Sequence, residues 1–305
     1  MKRKGTGPDG LVIVDKPAGV TSHNVVSRLR RLAGTRRVGH AGTLDPMATG
    51  VLVIGVEKAT RLLGHLALTA KTYQATIRLG QSTVTDDAEG EVTATASAAH
   101  ITSEVLDEAI AKLTGDILQV PSKVSAIKVD GQRSHRLVRA GEEFELSARP
   151  VSVSSFVIHD VRQVEQDGMA LLDVDVSVDC SSGTYIRALA RDLGADLGTG
   201  GHLTALRRTR VGPYGIEQAR TLEELEEHEQ LEESLDVMPI GEAASAAFTR
   251  WDVDAEQARL LANGVRLKAP GLDSAGTIAV FGPEDRFIAL VEEKHSEMKI
   301  VAGFA

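Results

Sequence analysis

Three stretches alternate apolar and polar residues at period two, which marks them as half-buried strands: Lys71–Leu79, Val151–Val161 and Leu171–Cys180. In the first, Tyr73, Ala75, Ile77 and Leu79 share one face. Gly10–Asp15 reads as a buried strand, and Val51–Val56 and His202–Val211 are strand-like as well. No regular βαβ rhythm links these runs. They predict an α+β fold, a mixed or antiparallel central sheet with flanking helices.

Helical spacing supplies the other layer. Thr21 or Ser22 caps a helix whose apolar positions are Val25, Val26, Leu29 and Leu32, ended by Gly34. Ser103–Thr114 is amphipathic and stops at Gly115, and Tyr185–Leu197 lies between Gly183 and Gly198. Gln81–Gly90 reads as a polar loop, and Pro121–Asp130 as a strand turning at Asp130–Gly131. The acidic stretch 221–235 reads as a surface helix, followed by a boundary at Gly241–Ala247. The expected division is residues 1–240 and a small β-rich domain, 246–305. The latter holds one helix (Ala255–Asn263, closed by Gly264) and strands near Thr277–Phe281, Arg286–Glu292 and Lys299–Val301.

A total of 305 residues favours two domains over one core. No apolar run reaches the roughly 20 residues that span a bilayer, and no leader pattern follows Lys2-Arg3-Lys4; a cytoplasmic protein is expected. The single Cys180 excludes an internal disulfide and a multi-thiolate metal cluster. No His-Glu-x-x-His spacing occurs. No metal and no cofactor are expected, and Cys180 reads as an inert buried thiol.

Charge is unevenly placed. The net charge is −9, yet residues 1–40 carry nine Lys/Arg against two Asp, and residues 217–236 carry eight Glu and Asp236 against Arg220. Screening over about 8 Å makes a polyanion respond to the local patch. Lys2 to Lys4 read equally well as a solvated tail. Arg28, Arg30, Arg31, Arg36 and Arg37 point instead to an anionic polymer.

That cluster precedes Gly42-Thr43-Leu44-Asp45-Pro46-Met47-Ala48-Thr49-Gly50. Pro46 bars Asp45 from helical backbone angles and stiffens the loop, and the flanking glycines let a bulky ligand approach the main chain. A lone, rigidly held acid beside a cationic path suits covalent or acid/base chemistry on such a polymer. Taken alone, an Asp-Pro between glycines is more often a turn.

The motifs together resemble the bacterial TruB family of tRNA pseudouridine synthases. The resemblance rests on Gly39 to Gly50, Lys16-Pro17-Ala18-Gly19, Tyr73 to Gly80, Thr85-Asp86-Asp87, Gly-Thr-Tyr-Ile-Arg at 183–187 and His202 to Arg208. It covers roughly residues 10–240. Residues 246–305 are similar to a shortened PUA-type RNA-binding domain.

The resemblance implies the pseudouridine synthase fold and isomerisation of uridine 55 in the T-loop of tRNA. It makes Asp45 the acid that starts cleavage of the C1′–N1 bond, by adding to the base, attacking the sugar or removing a sugar proton. Arg187 is its cationic partner, and Tyr73 stacks on the target base and takes part in the final proton transfer. His40 fills the place of the flipped base, and Asp87 joins the polar network at the nucleotide. Tyr185 and Leu206 line the pocket, and Lys16 supports the catalytic loop or touches phosphate. Without the motifs, Arg187 is a surface charge, Asp87 and His40 are solvated loop residues, and Tyr73 and Leu206 are core. The implied partner is the tRNA T-stem-loop, with no membrane, no obligate protein partner and a monomeric chain. The rivals are a non-catalytic RNA-binding or tRNA-folding protein, an N-glycosidase, and an RNA-guided pseudouridine synthase.

Overall fold

The computed structural model describes residues 7–125, 128–129, 132–133, 144–230, 235–272 and 276–304. The Lys2–Lys4 tail, the Asp130–Gly131 turn and positions 231–234 of the acidic stretch lie outside the described residues. The chain forms two compact units: Met1–Pro46 with Gly50–Ala67 and Val211–Ala305, and Met47–Thr49 with Leu68–Arg210.

The first unit begins with β1 (Gly10–Lys16), α1 (Ser22–Leu32), β2 (Val38–Ala41), β3 (Thr49–Val56) and the short α2 (Leu63–Leu66). Thr21 caps α1 in a reciprocal box with Asn24, and Val25, Val26 and Leu29 form its buried face. β3 pairs antiparallel with β1, Leu11 opposite Gly55, and with β2, Ala41 opposite Val53.

The second unit carries β4 (Lys71–Leu79), β5 (Gln81–Thr83), β6 (Val92–Thr95), α3 (Ser103–Lys112) and β7 (Gly115–Gln119). There follow the two-residue strands β8 (Lys128–Val129) and β9 (Gln132–Arg133), then β10 (Arg149–Gln166), β11 (Met169–Cys180), α4 (Ile186–Asp196) and β12 (Gly201–Val211). Its sheet runs β12-β4-β11-β10-β7, and β11 pairs antiparallel with β4 from Leu172–Leu79 to Cys180–Lys71. The alternation read in β4 is realised: Tyr73, Ala75, Ile77 and Leu79 are buried. On the other face Arg78 grips Asp173 through two hydrogen bonds of 2.7 Å.

Three readings of this unit are corrected. Gln81–Thr83 is a strand rather than loop, because Gln81 and Thr83 turn inward and are buried while β5 pairs with β6. Gly115 does more than stop α3; it opens β7, which pairs with β10. Pro121–Ser125 is irregular, and strand pairing is described at Lys128 opposite Arg133 and Val129 opposite Gln132.

The chain then re-enters the first unit with β13 (Tyr214–Gly215), α5 (Leu222–Gln230), β14 (Met238–Pro239) and α6 (Ile240–Ala247). The last elements are β15 (Thr249–Asp252), α7 (Ala255–Ala262), β16 (Leu267–Lys268), β17 (Ile278–Phe281), β18 (Phe287–Lys294) and β19 (Glu297–Gly303). They make a five-stranded sheet ordered β15-β17-β18-β19-β16. The segment expected as a boundary, Gly241–Ala247, is helix α6. Its small residues serve packing: Ala243 and Ala244 are fully buried, and Tyr214 donates its hydroxyl to the Ala243 carbonyl at 2.8 Å. One apolar cluster joins Leu11, Ile13, Val51 and Val53 to Phe281, Phe287, Leu290 and Phe304. The C-terminal sheet therefore shares a core with the N-terminal strands of its unit.

Cys180 is buried, as read from its apolar surroundings. Burial pushes its thiol up to about 11 and holds the Lys71 ammonium, opposite it on β4, down to about 8. The two act oppositely on stability. Unfolded Lys titrates near 10.4, so between about pH 8 and 10.4 the unfolded chain binds the extra proton and stability rises with pH. Unfolded Cys titrates near 8.5, so between about 8.5 and 11 the native chain holds the extra proton and stability falls. Over about 8.5–10.4 the two slopes offset one another in wild type; Cys180→Ala is expected to leave a urea midpoint that rises with pH across this window, and Lys71→Met one that falls. Each term is on the order of 3 kcal/mol across its window; parallel curves for all three proteins would refute the pairing.

Candidate active site

Asp45 lies in the first unit, on a half-buried loop pinned on both sides through its neighbours' backbone. Leu44 gives its N–H to the Ser22 hydroxyl at 2.9 Å and accepts from it at 3.0 Å. The Pro46 carbonyl accepts the Gly19 N–H at 2.8 Å and the Lys16 ammonium at 3.1 Å. Lys16 is fully buried and also donates to the carbonyls of Pro17 at 2.9 Å and Val20 at 2.6 Å. Lys16 thus ties the Lys-Pro-Ala-Gly segment to the Asp45 loop. Lys16→Met leaves three carbonyls short of a donor. A loss of about 2–4 kcal/mol is expected in urea unfolding, together with slower turnover; an unchanged midpoint would contradict the pin.

His40 is on a strand, not a loop: it stands in β2 opposite Ile54 and is half-buried. The basic cluster is more engaged than its composition implies. Arg28 and Arg31 converge on Glu226 at 3.6 and 3.4 Å, Arg37 pairs with Glu57 at 3.1 Å, and Arg30 donates to the Val38 carbonyl at 3.3 Å.

The second unit holds Tyr73, Asp87, Tyr185, Arg187 and Leu206. Arg187, in the first turn of α4, is 4% exposed. It donates to the carbonyls of Thr85 at 2.7 Å and Val124 at 2.8 Å, and lies 3.4 Å from the Asp87 carboxylate. One turn later Arg191 reaches the Val120 carbonyl at 2.6 Å and Asp86 at 3.5 Å. Two arginines at i and i+4 thereby bind the 85–87 and 120–124 segments to one helix. Asp87 is 2% exposed, unlike a solvated loop acid. It accepts from the Thr85 hydroxyl at 2.5 Å and the Glu89 N–H at 3.1 Å. Burial raises the neighbouring Asp86 carboxyl above its usual range. Tyr73 on β4 and Leu206 on the adjoining β12 are both buried.

Gln119, at the end of β7, escaped the sequence reading. Its side chain is buried and clamps one residue's main chain, donating to the Tyr185 carbonyl at 3.1 Å and accepting the Tyr185 N–H at 2.9 Å. Tyr185 precedes α4 without a side-chain cap of its own, so Gln119 fixes where α4 begins and where Arg187 emerges. The only sequence signal was a lone amide in a strand, which carries no role by itself. Among the described residues no cluster of three or more His, Cys, Asp or Glu could hold a metal ion, and no helix is long and apolar enough to cross a membrane.

A rigidly pinned acid in one unit, and an arginine–aspartate pair and a buried tyrosine in the other, are parts suited to general acid/base or nucleophilic chemistry. Comparison with known proteins narrows this. The family model described as "TruB family pseudouridylate synthase (N terminal domain)" matches residues 30–186. "tRNA pseudouridylate synthase B C-terminal domain" matches 187–243, and "tRNA Pseudouridine synthase II, C terminal" matches 248–305. The chain is 64% identical over 306 residues to tRNA pseudouridine synthase B of Streptomyces avermitilis, covering 100% of both. It is 58% identical to the protein of that name from Thermobifida fusca, covering 97% of this chain and 99% of that one. The crystal structure of a Cbf5-Nop10-Gar1 complex contains a similar chain, with TM-score 0.71 and 25% identity over 97% of this chain and 84% of that one. An H/ACA RNP bound to a substrate RNA containing 2'-deoxyuridine matches in fold, with TM-score 0.69 and 23% identity over 97% of this chain and 85% of that one. The chain belongs to the TruB family of pseudouridylate synthases.

Proposed function

We propose that this protein is a tRNA pseudouridine synthase that converts uridine 55 of the T-loop to pseudouridine. The pinned Asp45 carboxylate carries the reading, within a chain 64% identical along its whole length to a protein named for that activity. The C1′–N1 bond breaks, the uracil turns in place, C1′ bonds to C5, C5 gives up its proton and N1 gains one. Atoms balance with no outside redox agent.

The target nucleotide must first leave its stack, at a cost of a few kcal/mol. His40 fills the space it vacates. Tyr73 stacks on the base, an interaction of about 1–3 kcal/mol that tolerates any base. Asp45 must be ionised to act at neutral pH, and the Arg187 guanidinium supplies the favourable charge. Asp87 orients Arg187 and meets the nucleotide, Tyr185 and Leu206 line the pocket, and Lys16 holds the loop still so that positioning does most of the catalysis. Residues 246–305 extend the RNA contact as a PUA-type domain. The protein works as a cytoplasmic monomer without protein partners.

The test is incubation of the purified chain alone with an unmodified tRNA transcript carrying C5-tritiated uridine. Tritium release, one pseudouridine mapped at position 55 and unchanged RNA mass are expected. Free uracil with an abasic site would replace this reading with an N-glycosidase; activity only with added guide RNA and proteins would replace it with a guided enzyme.

A further inference from the structure

The exposed face of α1 forms a groove of about 560 Å³ lined by Gly19, Val20, Asn24, Ser27, Arg28 and Arg31. Positions 24, 27, 28 and 31 recur at three- and four-residue spacing and so share one helix face. The groove begins at the Asp45 loop, since Gly19 donates to the carbonyl of Pro46, the residue after the acid. At its other end Arg28 Nη1 and Arg31 Nη2 lie 3.6 and 3.4 Å from the same oxygen, Glu226 Oε1. Two guanidiniums meeting at one oxygen define an anion position.

Glu226 is held there by its helix. Leu222 and Leu225 of α5 are buried while Glu223, Glu224 and Glu227 face outward. The pairing itself is weak: both distances are near the limit of an ion pair, and the arginine side chains are 44% and 62% exposed. Exposed pairs of this kind contribute about 0–1 kcal/mol. A phosphate presents several oxygens to the planar fork of an arginine and forms shorter, charge-assisted bonds. It therefore displaces the carboxylate at little cost.

We propose that this groove holds a backbone phosphate of the RNA strand leading to the target nucleotide, with Glu226 as a built-in competitor for the same position. The proposal rests on the reading of this chain as a tRNA-modifying enzyme. The acidic helix then has a function: it lowers the affinity of α1 for any polyanion that does not also engage the rest of the site.

The test compares the full chain with Arg28→Gln/Arg31→Gln and with Glu226→Gln, measuring affinity for a tRNA transcript between 50 and 200 mM salt, beside tritium release by wild type. The double Gln variant is expected to bind about ten-fold more weakly at low salt, with the slope of log affinity against log salt shallower by about one. Glu226→Gln is expected to bind several-fold more tightly. Wild-type affinity and slope in the double variant, or Glu226→Gln binding no tighter than wild type, would overturn the proposal. If the double variant does not fold, Glu226→Gln decides alone. Absence of tritium release by wild type, with the binding differences present, overturns the enzymatic reading and leaves the groove standing.

Discussion

Asp45→Asn is expected to abolish tritium release, by about 10⁴-fold or more, while tRNA binding stays within a few-fold of wild type. The substitution keeps the shape of the side chain and removes its charge. The hydrogen bonds that pin the loop end on backbone atoms of Leu44 and Pro46, so Asn at 45 leaves them in place. Asp45→Glu retains the carboxylate but moves it by about one bond length. A displacement near 1 Å costs about 10²-fold where positioning carries the catalysis. Wild type, Glu and Asn should therefore rank in that order, with affinity nearly constant. Equal release from wild type and Asn would remove the carboxylate from the mechanism. It would leave an RNA-binding protein whose pinned loop has another use.

Period-two alternation and helix caps were enough to read β4, β10, β11, α1, α3 and α4 from the sequence, because each has one wet and one dry face. Reading failed where a polar residue turns inward. Gln81 and Thr83 look like loop by composition, yet they are buried in β5. The helix at Gly241–Ala247 was not read, because alanine and glycine carry no strong period, although small residues are what a tightly packed helix needs. Within the candidate site, the motifs made Asp45, Asp87 and Arg187 legible, and the structure shows Asp87 and Arg187 paired at 3.4 Å. What could not be read was support supplied from far along the chain. Gln119 lies 66 residues from the Tyr185 main chain it clamps. Glu226 lies 195 residues from Arg31. Composition showed only that basic and acidic segments exist, not that one partly neutralises the other.

Arg187→Met is expected to destabilise the protein by about 3–5 kcal/mol in urea unfolding, a larger loss than any other single substitution considered. The guanidinium is buried and satisfies two carbonyls while facing Asp87. Removing it takes the guanidinium away from a carboxylate only 2% exposed, and breaking a buried pair costs that much because a buried charge loses its partner. The alternative view, that Arg187 is a surface charge at a helix start, predicts a change within about 0.5 kcal/mol. Arg187→Lys separates charge from geometry. Its ammonium keeps the charge but lacks the planar fork that spans the carbonyls of Thr85 and Val124 together, so an intermediate loss is expected. A double variant with Asp87→Asn should recover part of the deficit of Arg187→Met, since the stranded charge is gone. Additive losses in the double variant would show that the two side chains act independently, and Asp87 could no longer be the group that orients Arg187.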